Sequence, residues 1–204
     1  NLFFRKNHVL SRSMKTNLIL LSFLLAVINC FAGKTPNIIL ILADDMGPGE
    51  PSHMGGLVPT PALDRMAKEG MRFTDAHTTS SVCTPTRYGI LTGRYNWRSR
   101  LKRGVLVKAS SQALMDPNRV NLPNFLQQYG YHTGMVGKWH LGADWELLEK
   151  PPAGSDRKDD SWRVDYSKPF RNGPVDVGFD EAFFILSSLD MAPYLYLRNN
   201  KSLS

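Results

Sequence analysis

An α/β fold with a mostly parallel central sheet flanked by helices is what this sequence predicts, from three observations. Residues Ile38-Ile39-Leu40-Ile41-Leu42-Ala43 form an unbroken apolar run rich in Ile, suited to a strand buried on both faces of a parallel sheet. Downstream, strand-like and helix-like segments alternate, separated by Gly and Pro. The last apolar run, Tyr194-Leu195-Tyr196-Leu197-Arg198, reads as a strand a few residues before Ser204, so the sheet is expected to be incomplete at the C-terminus.

The first apolar run leads into Asp44 and Asp45, then Gly47-Pro48-Gly49. Thr60 suits a helix cap, Pro61 a first turn and Gly70 an end, with Leu63, Met66 and Ala67 as the apolar face. Met71-Arg72-Phe73-Thr74 reads as a short strand. Pro85 opens a helix through Tyr88 to Leu91 that Gly93 ends, with Cys83 just before it. Leu122-Pro123 opens another, running through Tyr129 to Gly130, and Thr133 to His140 reads as a strand. Residues 151–174 are polar and broken by Pro and Gly, the pattern of a long surface loop, and Gly178-Phe179-Asp180 returns to packed structure.

Residues 1–33 carry four basic residues and no acid, with an apolar core from Leu18 to Ile28 and Cys30-Phe31-Ala32 after it. That is the pattern of upstream residues and then a secretory signal peptide at about 14–32, cleaved after Ala32. The core is short for a membrane span. Acylation of Cys30 is the weaker reading, since Asn29 is a poor residue before a lipoprotein cysteine. The whole chain has 25 basic and 18 acidic residues. Without the leader's four basic residues, 21 face 18, a net charge of +3. The high pI is therefore no argument for nucleic-acid binding. Arg94, Arg98, Arg100, Lys102 and Arg103 read as a solvated helix end or loop rather than a polyanion contact.

Chemistry concentrates in three places. Asp44 and Asp45 lie at the expected carboxyl end of a buried strand, where α/β sheets bind ligands, and adjacent carboxylates there suit Ca²⁺ or Mg²⁺ as well as a simple turn. Lys138 and His140 are two apart on the expected strand and would share a face, with Trp139 turned away to pack. A cation beside an imidazole suits an anionic substrate and proton transfer, but by themselves the two residues fit better a solvated strand face with a satisfied histidine. Cys83 is the one cysteine beyond the leader, so the exported chain has no disulfide framework. It stands just before a helix start with Arg87 one turn on, an arrangement that favours anions and a reactive thiol and that also suits a buried Cys before a capped helix.

These residues carry a resemblance. Cys83-Thr84-Pro85-Thr86-Arg87 with Tyr88-Gly89-Ile90-Leu91-Thr92-Gly93 resembles the first sulfatase signature. Gly130-Tyr131-His132-Thr133-Gly134-Met135-Val136-Gly137-Lys138-Trp139-His140-Leu141 resembles the second. Pro36-Asn37-Ile38 through Asp44-Asp45-Met46-Gly47 is similar to the same family's metal-binding opening strand. The resemblance runs from about Lys34 to the end and implies a formylglycine-dependent type I sulfatase of the alkaline phosphatase superfamily, with 34–204 as the N-terminal part of its catalytic domain.

That resemblance implies that Cys83 is oxidised to Cα-formylglycine by a sulfatase-maturing enzyme that reads Pro85 and Arg87. It implies that Asp44, Asp45 and the converted Cys83 hold a divalent cation, Ca²⁺ or else Mg²⁺. Arg87 then steadies the aldehyde hydrate, and Lys138 and His140 contact it and the sulfate. Ser188, with Ser187 as the alternative, binds substrate. The expected partner is a sulfated small molecule or glycan, with no nucleic acid and no stable membrane span. Further family residues would lie beyond 204, which makes this chain a fragment expected to be inactive alone. Two other functions stay open: a phosphonate monoester or phosphodiester hydrolase with the same converted cysteine, and a non-catalytic glycan-binding remnant.

Overall fold

The computed structural model describes residues 35–152 and 160–203. The expected signal peptide lies outside the described residues, as does part of the expected loop. The chain divides into two units, 1–46 and 47–204.

Within the first unit, residues 35–46 form no strand. The run expected to be a buried strand is exposed, Ile39 at 83%. An apolar run supplies strand propensity, but a strand also needs a hydrogen-bonded neighbour, and this segment has none among the described residues.

The second unit is built on a four-stranded sheet in the order β1 (Gly134–Lys138), β2 (Glu181–Ile185), β3 (Tyr196–Arg198) and β4 (Lys201–Ser202). The α/β class holds with a mixed sheet: β1 and β2 are parallel, with Gly134 opposite Glu181 and Lys138 opposite Ile185. The β2–β3 and β3–β4 pairs are antiparallel. Alternation on β2 turns Ala182 and Phe184 inward and Phe183 outward, where it stacks on Tyr196. Inward, Phe184 meets Trp139 and Phe170 edge-on, and Leu141, Leu186 and Leu197 complete the core.

Among the described residues the second unit also has three α-helices. Helix α1 (Pro61–Glu69) has Pro in its first turn and ends at Gly70 as expected, but it buries no residue, and Met66 is exposed. Thr60 does not cap it. Its hydroxyl instead accepts from Ser52 N at 2.9 Å and donates to Asp64, whose carboxylate also takes Ser52 Oγ at 2.6 Å and His53 N at 3.0 Å. These bonds, Ser52's first, hold the Asp64 carboxyl below the usual range. Residues 71–74 form no strand and stay exposed, because no strand among the described residues pairs with them.

Helix α2 (Cys83–Thr92) starts two residues before the expected Pro85. Pro is tolerated there because first-turn N–H groups have no helical acceptor. The left-handed Gly93 ends the helix. Gly89 is needed for close approach: a Cβ there would stand 2.2 Å from Thr79 Oγ1. Helix α3 (Leu122–Gln127) stops short of the expected Tyr129, and Asn121 and Asn124 form a reciprocal capping box at its start.

The expected surface loop is partly core. Among its described residues Val164 bridges to Leu147, and Phe170 is 1% exposed with its ring centroid 4.5 Å from that of Trp145. Scattered apolar residues in a polar segment do not form a periodic pattern, so their burial depends on partners far along the chain. Asp180 fastens the entry to both parallel strands, accepting from Thr133 N at 2.6 Å, Thr133 Oγ1 at 3.0 Å and Gln127 Nε2 at 2.8 Å.

Phe170→Ala is expected to lower the unfolding free energy by about 3–5 kcal/mol, the cost of an aromatic deleted from a packed core. Urea titration checks it. A change under about 0.5 kcal/mol would restore the surface-loop reading.

Candidate functional site

Three stretches of the second unit converge at the carboxyl ends of β1 and β2. The first is the start of α2, where Cys83 is a partly buried free thiol. The residue before it, Val82, is extended, and no side chain caps the helix. The first-turn N–H groups therefore leave partial positive charge beside the thiol. Arg87, one turn on, donates Nη1 to the carbonyl of Lys138, the last residue of β1. This bond ties the cation's position to the end of the sheet.

Thr84, fully buried, makes the second tie. Its hydroxyl donates to the carbonyl of His140 at 2.9 Å and accepts from Leu106 N at 3.3 Å. His140 continues the sheet's bonding pattern by donating its N–H to Leu186 O at 2.8 Å. The strand itself ends at Lys138, and His140 is left-handed at φ 55°. Strand alternation therefore does not set the relation of Lys138 to His140, contrary to the expectation; the backbone turn at His140 does. Trp139 is turned into the core as expected, its Nε1 bonded to Gly142 O at 2.8 Å.

The imidazole is 1% exposed. Its Nε2 lies 2.8 Å from Leu106 O. A carbonyl only accepts, so Nε2 carries the proton and the neutral ring presents a lone pair at Nδ1. That Nδ1 is buried and bonds to no protein atom among the described residues. Burial is the main cause pushing the His140 pKa below 6.5, and the charges of Lys138 and Arg87 push it further. The bond to Leu106 and the charge of Asp190 oppose the shift without reversing it.

The third stretch lies just past β2. Ser187 is buried, and Ser188 is more accessible. The hydrogen bond from Ser188 is the main cause holding the exposed Asp190 carboxyl below the usual range, and the charge of Lys138 contributes. Lys138, His140, Ser188 and Asp190 therefore form one electrostatic neighbourhood.

Asp44 and Asp45 belong to the other unit. Both are exposed, and Asp45 is left-handed at φ 56°, a conformation uncommon outside Gly, Asn and Asp. Adjacent carboxylates are hard oxygen donors that fit Ca²⁺ or Mg²⁺, but they supply only part of the six to eight oxygens that Ca²⁺ takes. Among the described residues no group of three or more His, Cys, Asp or Glu side chains is placed to hold a metal.

Thr84, Leu106 and Asp190 are site residues that the sequence reading did not single out. Thr84 lies inside the cysteine motif and was detectable there. Leu106 acts through its backbone, which leaves no signal in residue type.

Comparison with known proteins shows the family of the chain and its fold. The Sulfatase family model matches residues 36–183. An N-acetylgalactosamine-6-O-sulfatase of Bacteroides thetaiotaomicron is 36% identical over 167 residues, which cover 81% of this chain and 29% of that protein. Human arylsulfatase G is 45% identical over 118 residues, 55% of this chain and 22% of that protein. A solved structure from work on glycosaminoglycan metabolism by B. thetaiotaomicron superposes with a TM-score of 0.70 at 35% identity, covering 84% of this chain and 32% of that one. The structure of Ps i-CgsB with a neocarrahexaose superposes at 0.61 with 22% identity, covering 83% and 37%, a likeness of fold alone. The chain thus spans between a fifth and a third of the length of these two relatives. Among the described residues no helix is long and apolar enough to cross a membrane.

His140 makes stability depend on pH. Its folded pKa lies below 6.5, so between those two values the unfolded chain holds more protons. The stability linked to this group is present above pH 6.5 and is lost as pH falls through the folded value. Thermal melts from pH 7.5 to 5 should therefore show a falling Tm, with a shallower fall in His140→Gln. Identical slopes in the two proteins would contradict the assignment.

Proposed function

The chain belongs to the sulfatase family, and from that membership we propose that residues 34–204 are the amino-terminal part of an exported sulfate ester hydrolase whose nucleophile derives from Cys83. The observation that carries the reading is the family match spanning a cysteine at an uncapped helix start, beside the linked residues Arg87, Lys138, Thr84 and His140.

In this reading a maturing enzyme oxidises Cys83 to formylglycine, whose hydrate would supply two hydroxyls: one displaces the ester's alcohol from sulfur, and the other expels sulfate by C–O cleavage and restores the aldehyde. Calcium held by Asp44 and Asp45 would supply positive charge that favours the ionised hydroxyl. The remaining tasks fall to the chain's own groups. Arg87 and Lys138 set positive charge where a sulfate gathers negative charge, and the bond to the Lys138 carbonyl holds the guanidinium in place before substrate arrives. Neutral His140 takes a proton of the hydrate at Nδ1, which bonds to no protein atom among the described residues. The bond at Nε2 keeps the ring in that tautomer. Ser188 contacts the sulfate, and its neighbour Asp190 partly balances Lys138.

The substrate is an aryl or carbohydrate sulfate. A carbohydrate sulfate is supported by the similarity to an N-acetylgalactosamine-6-O-sulfatase. Export by the leader at about 14–32 and conversion by a sulfatase-maturing enzyme complete the proposal.

Peptide mass spectrometry after co-expression with a maturing enzyme should find an aldehyde at Cys83. The extended enzyme should hydrolyse aryl sulfate in preference to phenyl phosphonate, and Cys83→Ala should abolish turnover. An unmodified thiol beside a converted control sulfatase would overturn the proposed nucleophile. Faster phosphonate hydrolysis would reassign the reaction.

A further inference from the structure

We propose that residues 94–106 form a docking track for a linear sulfated polysaccharide, delivering it to the site at Cys83. The proposal deepens the hydrolase reading and rests on it. Its first support is the distribution of charge. Residues 76–115 contain seven basic residues and no acid. The rest of the chain from 34 onward contains 14 basic and 18 acidic residues, a net charge of −4. The net positive charge beyond the leader is thus confined to this one segment, which includes Arg87. Mixed signs would be expected of a face that is merely solvated.

The second support is an exposed aromatic pair. Tyr95 and Trp97 stack with centroids 5.3 Å apart and planes 11° from parallel. They remain 50% and 53% exposed. The Arg98 guanidinium lies 5.8 Å from the Trp97 ring centroid, and Lys102 Nζ donates to Trp97 O at 3.0 Å. Among the described residues no ion pair joins Arg98, Arg100, Lys102 or Arg103 to a carboxylate. Rings present apolar faces to the C–H face of a sugar, and guanidinium and ammonium groups meet its sulfates. Neither component alone recognises a sulfated sugar; here they share one short 3-10 turn, Asn96–Arg98, and its flanks.

The third support is where the segment begins and ends. It leaves the far end of α2 after Gly93, about 15 Å from Cys83 for a ten-residue helix. It returns to Leu106, which bonds both Thr84 and His140. A polymer lying along it therefore runs from the aromatic pair towards the site.

The test uses the extended, converted enzyme with chondroitin sulfate, unsulfated chondroitin and single-stranded DNA as probes. Expected are binding of the sulfated polymer over the other two and about tenfold weaker binding in Trp97→Ala, the scale of one lost aromatic contact. In R98S/K102S the slope of log affinity against log salt should fall by roughly two, one per removed cation. Both variants should raise KM for the polymer and leave aryl sulfate kinetics and Tm unchanged. Unaltered polymer binding in both variants would overturn the track. Equal binding of DNA would overturn its sugar specificity and mark a general polyanion surface. If Trp97→Ala lowers Tm, Arg103→Ser takes its place, and it must weaken polymer binding for the proposal to stand. Track-dependent binding without hydrolysis of any sulfate ester would sink the hydrolase reading and leave the docking surface standing.

Discussion

The hydroxyl of Thr84 is the point on which the site depends. It is buried, and it joins three stretches of backbone distant in sequence: the first turn of α2, the Leu106 segment and the turn after β1. A hydroxyl has one proton to donate and lone pairs to accept, and this one does both. Net stabilisation from each bond is only about 1 kcal/mol, but leaving either partner buried and unpaired costs more. With the parallel bond from Arg87 to the Lys138 carbonyl, it holds a helix start against a strand end. Helix polarity, guanidinium and imidazole keep their relative positions for that reason.

The parallel pair supplies the other half of the frame. Asp180 bonds Thr133 just before β1, while itself standing just before β2. The starts of the strands are thereby levelled, and their equal lengths bring Lys138 and Ile185 out side by side. The residues just past each strand then gather in one place: His140 after β1, Ser188 and Asp190 after β2. This is the general logic by which open α/β sheets collect functional groups at strand ends.

Much of this was legible in the sequence, for reasons that can be stated. Helices α1 and α2 announce their ends with Pro and Gly, whose backbone restrictions act locally. Trp139, between Lys138 and His140, was expected to turn away from them and pack, and it is buried. Residues 38–43 and 71–74 were misread because strand propensity is local but strand pairing is not. The burial of Phe170 was missed for the same reason, as its partners Trp145 and Phe184 come from other segments. The pairing of Lys138 with His140 was expected from strand alternation. It arises instead from a left-handed residue, a conformation that a histidine code does not advertise.

The acceptor for His140 Nε2 is a backbone carbonyl, that of Leu106. Every residue type offers the same oxygen, so no substitution at position 106 removes it while the chain keeps its path. The tautomer of the imidazole is thereby insulated from point mutation at its own partner. A mutational scan would score position 106 by its packing alone, and the residue that sets the proton's place on the ring would leave no trace as one that does so.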